Sequence, residues 1–430
     1  MNRPSTFLTL SPGLFGMLLL AGCGDGVPGT SGTVAVSDSA GIEIVANPGE
    51  GQWDEGQEWR VREVVRLGGV DGPEETLFER PGDMVPDGQG GVFVVEAGEM
   101  ALRRYGPDGT FLGRMGGAGE GPGEFGSLNS AVDLGDTLLV LDVRNRRISR
   151  FLKSGELLDT QPLELDTSTQ GFPMRLIPLA DGRLIMPSPQ GCAMPPPEDP
   201  RAAGRLNVTL PPSPDEHALT VEGPITRWVD HATHAIYGER ICSVRPSLAG
   251  HGIPLAVRTD GVAAVAPGPE YDIHIFRVPD GAESWAGGAL DAFPPPERII
   301  RRAVERRPVT ADDRRDYRES RRPTDLTDPM SREVWEAIEA ALDTTRVPDR
   351  YPAIQELVWD DQGHLWVQRR GAWDEPDGPW DVFDPEGRYL GEVALPEAFT
   401  VRLIHEGRIW GTATGEFDVQ ELVSLEIEGR

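Results

Sequence analysis

The chain has 430 residues, with 70 acidic and 41 basic side chains and three cysteines, for a net charge of −29 at neutral pH. So acidic a surface keeps a protein soluble and repels phosphate backbones, which argues against a nucleic-acid partner. There is no HExxH, GxSxG, P-loop or CxxC motif in it, which removes the commonest zinc-hydrolase, serine-hydrolase, nucleotide and cysteine-zinc readings.

Residues 1–22 hold one basic residue, Arg3, and an apolar stretch from Phe7 to Leu20 broken by Ser11-Pro12-Gly13. The stretch is shorter than the roughly 20 residues that cross a bilayer as a helix, and it reads as a cleaved signal peptide. It ends in Leu20-Ala21-Gly22 before Cys23, the small-residue pattern that precedes a lipid-modified cysteine. The expectation is a mature chain starting at Cys23, held there by acyl chains at the cell membrane or outer membrane and facing the periplasm or exterior. Residues 23–33 then form a flexible tether.

Strand-like segments follow at Ile42–Val45 and Trp59–Leu67, and then a repeat sets in. A turn followed by an apolar strand occurs as DGQGGVFVV (87–95), LGDTLLVLD (134–142), ADGRLIM (180–186), TDGVAAVA (259–266), DDQGHLWV (360–367) and HEGRIWG (405–411). The equivalent positions Gly91, Asp136, Gly182, Gly261, Gly363 and Gly407 are spaced by 45, 46, 79, 102 and 44 residues. A period of about 45 suits a four-stranded propeller blade, so residues 34–430 are expected to form an all-β, six-bladed β-propeller with two insertions. Tight turns at Pro107-Asp108-Gly109, Lys153-Ser154-Gly155 and Pro385-Glu386-Gly387 fit that reading. The last unit runs out at Ile427 with too few strands for a blade. Sheets avoid open edges, so Ile42–Val45, Val61–Leu67 or both are expected to pair with strands around 407–427 and close the ring.

The first insertion, about 187–214, is rich in proline. Cys192 and Cys242 are an even pair in a chain read as exported, and a disulfide between them would close a loop of about 50 residues, worth roughly 4 kcal/mol in chain entropy. The second insertion, about 294–352, reads as helical between blades four and five. Glu297–Arg307 pairs charges at i,i+4, Thr310 and Asp313 form a capping-box pattern for a helix to about Arg321, and Ser331 can cap Arg332–Leu342. Ten arginines stand against six acids from Glu297 to Arg322. That excess suits either a basic lid over the propeller or helices whose arginines pair with neighbouring acids.

The run Gly119-Glu120-Gly121-Pro122-Gly123-Glu124-Phe125, followed by Leu139–Asp142 and Arg144-Asn145-Arg146-Arg147-Ile148, resembles the NHL repeat. Tyr351-Pro352-Ala353-Ile354 with Asp360–Val367 is similar to a group of exported bacterial six-bladed propeller proteins, often lipoproteins. The resemblance spans roughly residues 35–430 and implies a membrane-tethered binding or scaffolding module.

Propellers bind at the mouth of their central channel. In this register Glu96 and Asp142 follow second strands, while Asp360, Asp361, Asp374 and Asp377 add carboxylates and Trp373 and Trp380 flank the last pair. Carboxylates around a channel could hold Ca²⁺ through six to eight oxygens, and tryptophan faces could stack on sugars. The plainer reading is turn acids and core tryptophans. Two alternatives stand beside the binding module. One is a metal-dependent (Ca-type) lactonase, hydrolase or lyase resembling gluconolactonase-type propellers; the other is a carbohydrate- or peptide-binding component of an uptake system. Gly121–Gly126 formally matches GxGxxG, but it contains proline and precedes a strand region, so it is not a nucleotide site.

Overall fold

In chain order, β1 (Ala35–Ser39) and β2 (Ile42–Asn47) form a hairpin, followed by β3 (Arg60–Leu67). Two four-stranded antiparallel meanders come next: β4 (Pro81–Pro86), β5 (Val92–Glu96), β6 (Ala101–Tyr105) and β7 (Phe111–Gly116), then β8 (Leu128–Asp133), β9 (Thr137–Asp142), β10 (Arg147–Leu152) and β11 (Leu157–Pro162). The computed structural model describes residues 33–163, 175–182, 254–278, 295–329 and 349–430, with strand segments between 184 and 244 and pieces of 331–339. Residues 1–32, Cys23 among them, lie outside these.

The third sheet joins β12 (Ile177–Pro178) and β13 (Leu184–Pro189) to β15 (Gly204–Thr209) and β16 (Thr220–Pro224). The intervening β14 (Cys192–Ala193) leaves it and pairs with β18 (Arg240–Val244), which also pairs with β17 (Thr233–Tyr237). This register sets Cys192 directly opposite Cys242. Opposed antiparallel residues lie about 4.5–5.5 Å apart at Cα, inside the range a disulfide spans. The two side chains are outside the described residues.

The fourth sheet is β19 (Leu255–Val257), β20 (Val262–Val265), β21 (Asp272–Arg277) and β22 (Arg298–Arg302), extended by β2 and β1 to six strands. After helix α1 (Ala311–Arg321) comes the fifth sheet, β23 (Ile354–Trp359), β24 (Leu365–Arg369), β25 (Trp380–Phe383) and β26 (Tyr389–Val393). The sixth is β27 (Phe399–His405), β28 (Arg408–Thr414) and β29 (Gln420–Glu428), completed by β3. The first strands β4, β8, β12, β19, β23 and β27 line one cavity of about 280 Å³. Four-stranded sheets radiating from a common axis are the arrangement of a β-propeller.

Strand alternation builds the cores between sheets. Along β5, which is buried throughout, Phe93 and Val95 join Leu128, Leu138 and Val140 of the next sheet. Val92 and Val94 turn the other way, to Trp410 and Leu422 of the closing sheet. A buried residue of this kind contributes about 1.5–3 kcal/mol, and a sheet flanked on both sides has no solvent face to give polar residues.

The closure expected of Val61–Leu67 is present: β3 pairs with β29 from Leu67↔Leu422 to Arg60↔Glu428. Ile42–Val45 goes elsewhere, running parallel to β22 from Glu43↔Arg298 to Asn47↔Arg302. That pairing corrects the helix expected over Glu297–Arg307. Residues 298–302 are the fourth strand of the fourth sheet, with β21 on one side and β2 on the other, so this part of the segment is strand and not helix. The charge pattern fits a helix, but Ile300 is buried against the neighbouring sheet, and two flanking strands take the backbone bonds a helix would have made.

Helix α1 forms as its sequence implies. The Thr310 hydroxyl accepts the Asp313 N–H at 3.1 Å, and the Asp313 carboxylate accepts the Thr310 N–H at 2.7 Å. The surrounding arginines are largely spent on acids from outside the segment: Arg301 on Asp272 at 3.3 Å, Arg302 on Asp381 at 2.6 Å, Arg306 on Glu270, and Arg307 on Glu375. This favours neighbour-paired arginines over a basic lid. Among the described residues no helix is long and apolar enough to cross a membrane.

Candidate functional site

A first strand in a propeller has one hydrogen-bonded neighbour and turns its free edge to the axis, so its backbone polar groups face the channel. Four first strands share a further irregularity. β4 shifts register between Pro81 and Met84, β8 between Leu128 and Ser130, β23 between Ile354 and Glu356, and β27 between Val401 and Leu403. Each is a β-bulge three or four residues before the strand's last residue. A bulge leaves a residue without a partner across the ladder and re-aims side chains locally. Two bulged positions, Asp83 and Arg402, are among the residues that line the cavity.

The cavity walls are mainly apolar, with Met84, Val132, Leu176, Leu357 and Leu403 among them. Set into them are Asp83, Asp133, Arg175, Glu356 and Arg402. Asp133 is spent on Lys153 at 2.9 Å and on the Gly135 N–H at 2.9 Å. Asp83 accepts the Ser130 hydroxyl at 2.5 Å, and Ser130 Oγ in turn accepts the Leu176 N–H at 3.0 Å, which ties three sheets together at the wall. Burial pushes the Glu356 carboxyl above the usual glutamate range, against the pull of Arg175 and Arg402. Among the described residues, neither arginine closes on Glu356 as an ion pair.

None of the eight carboxylates and tryptophans expected at the channel mouth lines this cavity. Asp142, fully buried, accepts the N–H groups of Gly126 at 3.0 Å, Ser127 at 2.9 Å and Asn145 at 3.1 Å, and the Asn145 side-chain amide at 2.7 Å. Asn145 also donates to the Gly119 carbonyl, while Arg147 donates to the carbonyls of Glu120, Gly121 and Glu124. Asp142, Asn145 and Arg147 are thus a clasp on the glycine-rich loop. The loop needs its glycines: at Gly116, with φ +87°, an added Cβ would stand 2.2 Å from the buried Phe125 ring.

Glu96 occupies the same position in its own sheet, also fully buried, with Oε1 accepting the N–H groups of Arg80 at 2.8 Å and Gly98 at 3.0 Å. Its Oε2 has no partner, and burial raises the carboxyl above its ordinary value. Asp360 and Asp361 sit in the turn between β23 and β24, at the end of that sheet opposite the β24–β25 loop that carries Trp373, Asp374 and Asp377. Burial would raise the Asp360 carboxyl, but His364 at 2.9 Å and Arg430 at 2.9 Å hold it below the usual range. Asp361 accepts the Glu406 N–H at 3.0 Å, and Asp377 accepts the Gly371 N–H at 3.0 Å. Trp373 meets Tyr317 of α1 edge-on at 5.6 Å, and Trp380 lies in the core between the fifth and sixth sheets. Turn acids and core tryptophans describe these residues.

Among the described residues no three of His, Cys, Asp and Glu are placed to hold one metal ion. The channel charges were missed by sequence reading because Asp83, Glu356 and Arg402 belong to the strand before each repeated turn, where no motif marks them.

No protein-family model matches the chain, and neither does any curated protein. Among solved structures it is similar to a gluconolactonase from Xanthomonas campestris, at 14% identity over 81% of this chain and 87% of that one, with a TM-score of 0.40. It is also similar to a member of the DUF4221 family from Bacteroides vulgatus, at 8% identity over 86% and 98%, with a TM-score of 0.47. A calcium-binding protein, regucalcin, from Agrobacterium tumefaciens matches at 11% identity over 83% and 94%, with a TM-score of 0.38. None of these likenesses assigns a role to a residue of this chain.

Proposed function

We propose that this protein is an extracytoplasmic six-bladed propeller, held at a membrane by lipid on Cys23, that binds a small ligand in its central channel. The observation that carries the reading is the wall of the channel: bulges recur in four first strands, and side chains of both charge signs stand among apolar neighbours. Asp83 and Glu356 are half-buried there, where desolvation of a carboxylate is costly, while Arg175 and Arg402 are exposed to the channel. The anchoring half rests on Leu20-Ala21-Gly22-Cys23 and on the apolar stretch before it.

A metal-dependent lactonase or lyase is the weaker reading, because the described donors do not converge on one ion. Native mass spectrometry of the detergent-extracted protein, with metal analysis of the same sample, tests both. The binding reading expects a small molecule carried through purification and a Cys23→Ala variant that leaves the membrane fraction. A stoichiometric divalent metal whose removal abolishes lactone or ester hydrolysis would replace it with the enzyme reading.

A further inference from the structure

The channel reading extends to a class of ligand, and that class rests on the reading. Asp83 lies on the first sheet, Arg175 at the entry to the third, Glu356 on the fifth and Arg402 on the sixth, so both charge signs face one cavity from different sheets. Asp83 is fixed through Oδ2 by the buried Ser130, which leaves Oδ1 for another donor. Glu356 and Arg402 stand on adjacent sheets, yet no ion pair joins them within 4.0 Å, nor does one join Glu356 to Arg175, among the described residues. Half-buried carboxyl groups and exposed guanidinium groups that face one cavity without pairing leave a place for a molecule that satisfies both.

We propose that the ligand is a small zwitterion, with an ammonium group for Glu356 and Asp83 and a carboxylate for Arg402 and Arg175, as in a free amino acid or a short peptide. A simple carboxylate would meet the arginines but leave two carboxyl groups facing it, and a simple amine would face two guanidinium groups. A neutral sugar would leave the half-buried Asp83 and Glu356 carboxyl groups without a cation. Guanidinium binds carboxylate through paired, charge-assisted hydrogen bonds, while an ammonium needs only a compact acceptor such as a carboxyl oxygen. The cavity, about 280 Å³, is just smaller than the usual ligand pocket of about 300–1,000 Å³, which favours one or two residues over a longer chain.

Isothermal titration calorimetry on the full detergent-solubilised protein tests this with free amino acids, dipeptides, n-butylamine, acetate and glucose. The expected result is saturable binding of an amino acid or dipeptide, with the amine and the acetate at least tenfold weaker. Glu356→Gln and Arg402→Met should each lower that affinity roughly 10- to 100-fold, the loss of one charged hydrogen-bond partner. Unfolding midpoints of both variants are measured in parallel, and Arg402→Lys replaces Arg402→Met if the latter fails to fold. Binding of glucose or acetate alone, abolished by either variant, would overturn the zwitterion and keep the channel as a site. Amino-acid binding unchanged in both variants, or no binding by any compound, would overturn the channel as well.

Discussion

Arg302 and Asp381 form an ion pair at 2.6 Å with side chains only 6% and 0% exposed, which joins β22 of the fourth sheet to β25 of the fifth. Asp381 also accepts the Tyr271 hydroxyl at 2.7 Å, and the Arg302 guanidinium lies 3.8 Å from the centre of the Tyr389 ring. Removing one member of a buried pair leaves an uncompensated charge. Arg302→Met should therefore cost about 3–5 kcal/mol of stability in urea unfolding, and adding Asp381→Asn should recover part of the loss. A single-variant loss below about 1 kcal/mol, the range of solvated pairs, would show that water reaches it.

The clasp on the glycine-rich loop gives a second expectation. Asp142→Ala strips acceptors from three backbone N–H groups and the Asn145 amide. Each orphaned donor that stays dry costs about 1–3 kcal/mol. The variant should unfold at lower urea concentration and show faster amide exchange across residues 117–127, with the other sheets unchanged.

Glu96 sets a pH dependence whose sign can be worked out. Burial raises its folded-state value above 4.5, so between those two values the folded chain holds the proton more readily than the unfolded one. Stability from this group therefore grows as pH falls through that window. Wild type should gain on Glu96→Gln as pH is lowered toward 4.5, read as a widening difference in urea midpoints. A difference constant with pH would mean that Glu96 titrates normally.

Closure of the ring is testable at Val65, 5% exposed and opposite Ser424. Val65→Asp would bury an unpaired carboxylate at the seam between β3 and β29, with a loss of several kcal/mol. Circular dichroism should show retained strand content with an earlier thermal transition, since the other sheets do not pair through β3.

Cys192 and Cys242, opposed in register, should resist alkylation in the oxidised protein and react after reduction. If a bridge joins them, breaking it should lower stability by up to about 4 kcal/mol. Free alkylation of both without reductant would show unpaired thiols.

Much of this fold is legible in the sequence, because a propeller repeats its turn chemistry. The Gly-containing turns at 87–91 and 360–363 and the apolar run of β9 carry the period with them. Val61–Leu67 is legible as the missing strand of the last sheet. The strand at 298–302 is not, because its partner β2 lies some 250 residues away and local charge spacing mimics a helix. The channel is the least legible part. A bulge is a property of two strands in register, and nothing local at Asp83 or Arg402 announces that the ladder will skip there. The acids that do announce themselves, Asp142 and Asp360, are prominent because turns need them.

The seam between β3 and β29 joins the two ends of the propeller. Arg62 and Glu428, which meet there, are 366 residues apart in the chain. While the chain is being made, the meanders from β4 onward can form one after another from local contacts, but the sixth sheet waits for its fourth strand from the beginning of the molecule. Closing so long a loop is entropically costly and slow compared with local pairing. Until it happens, β29 and β3 each present an unpaired edge. A propeller without that pairing would be an open arc with edges able to pair with other chains, and it is the pairing of β3 with β29 that makes the arc a closed ring.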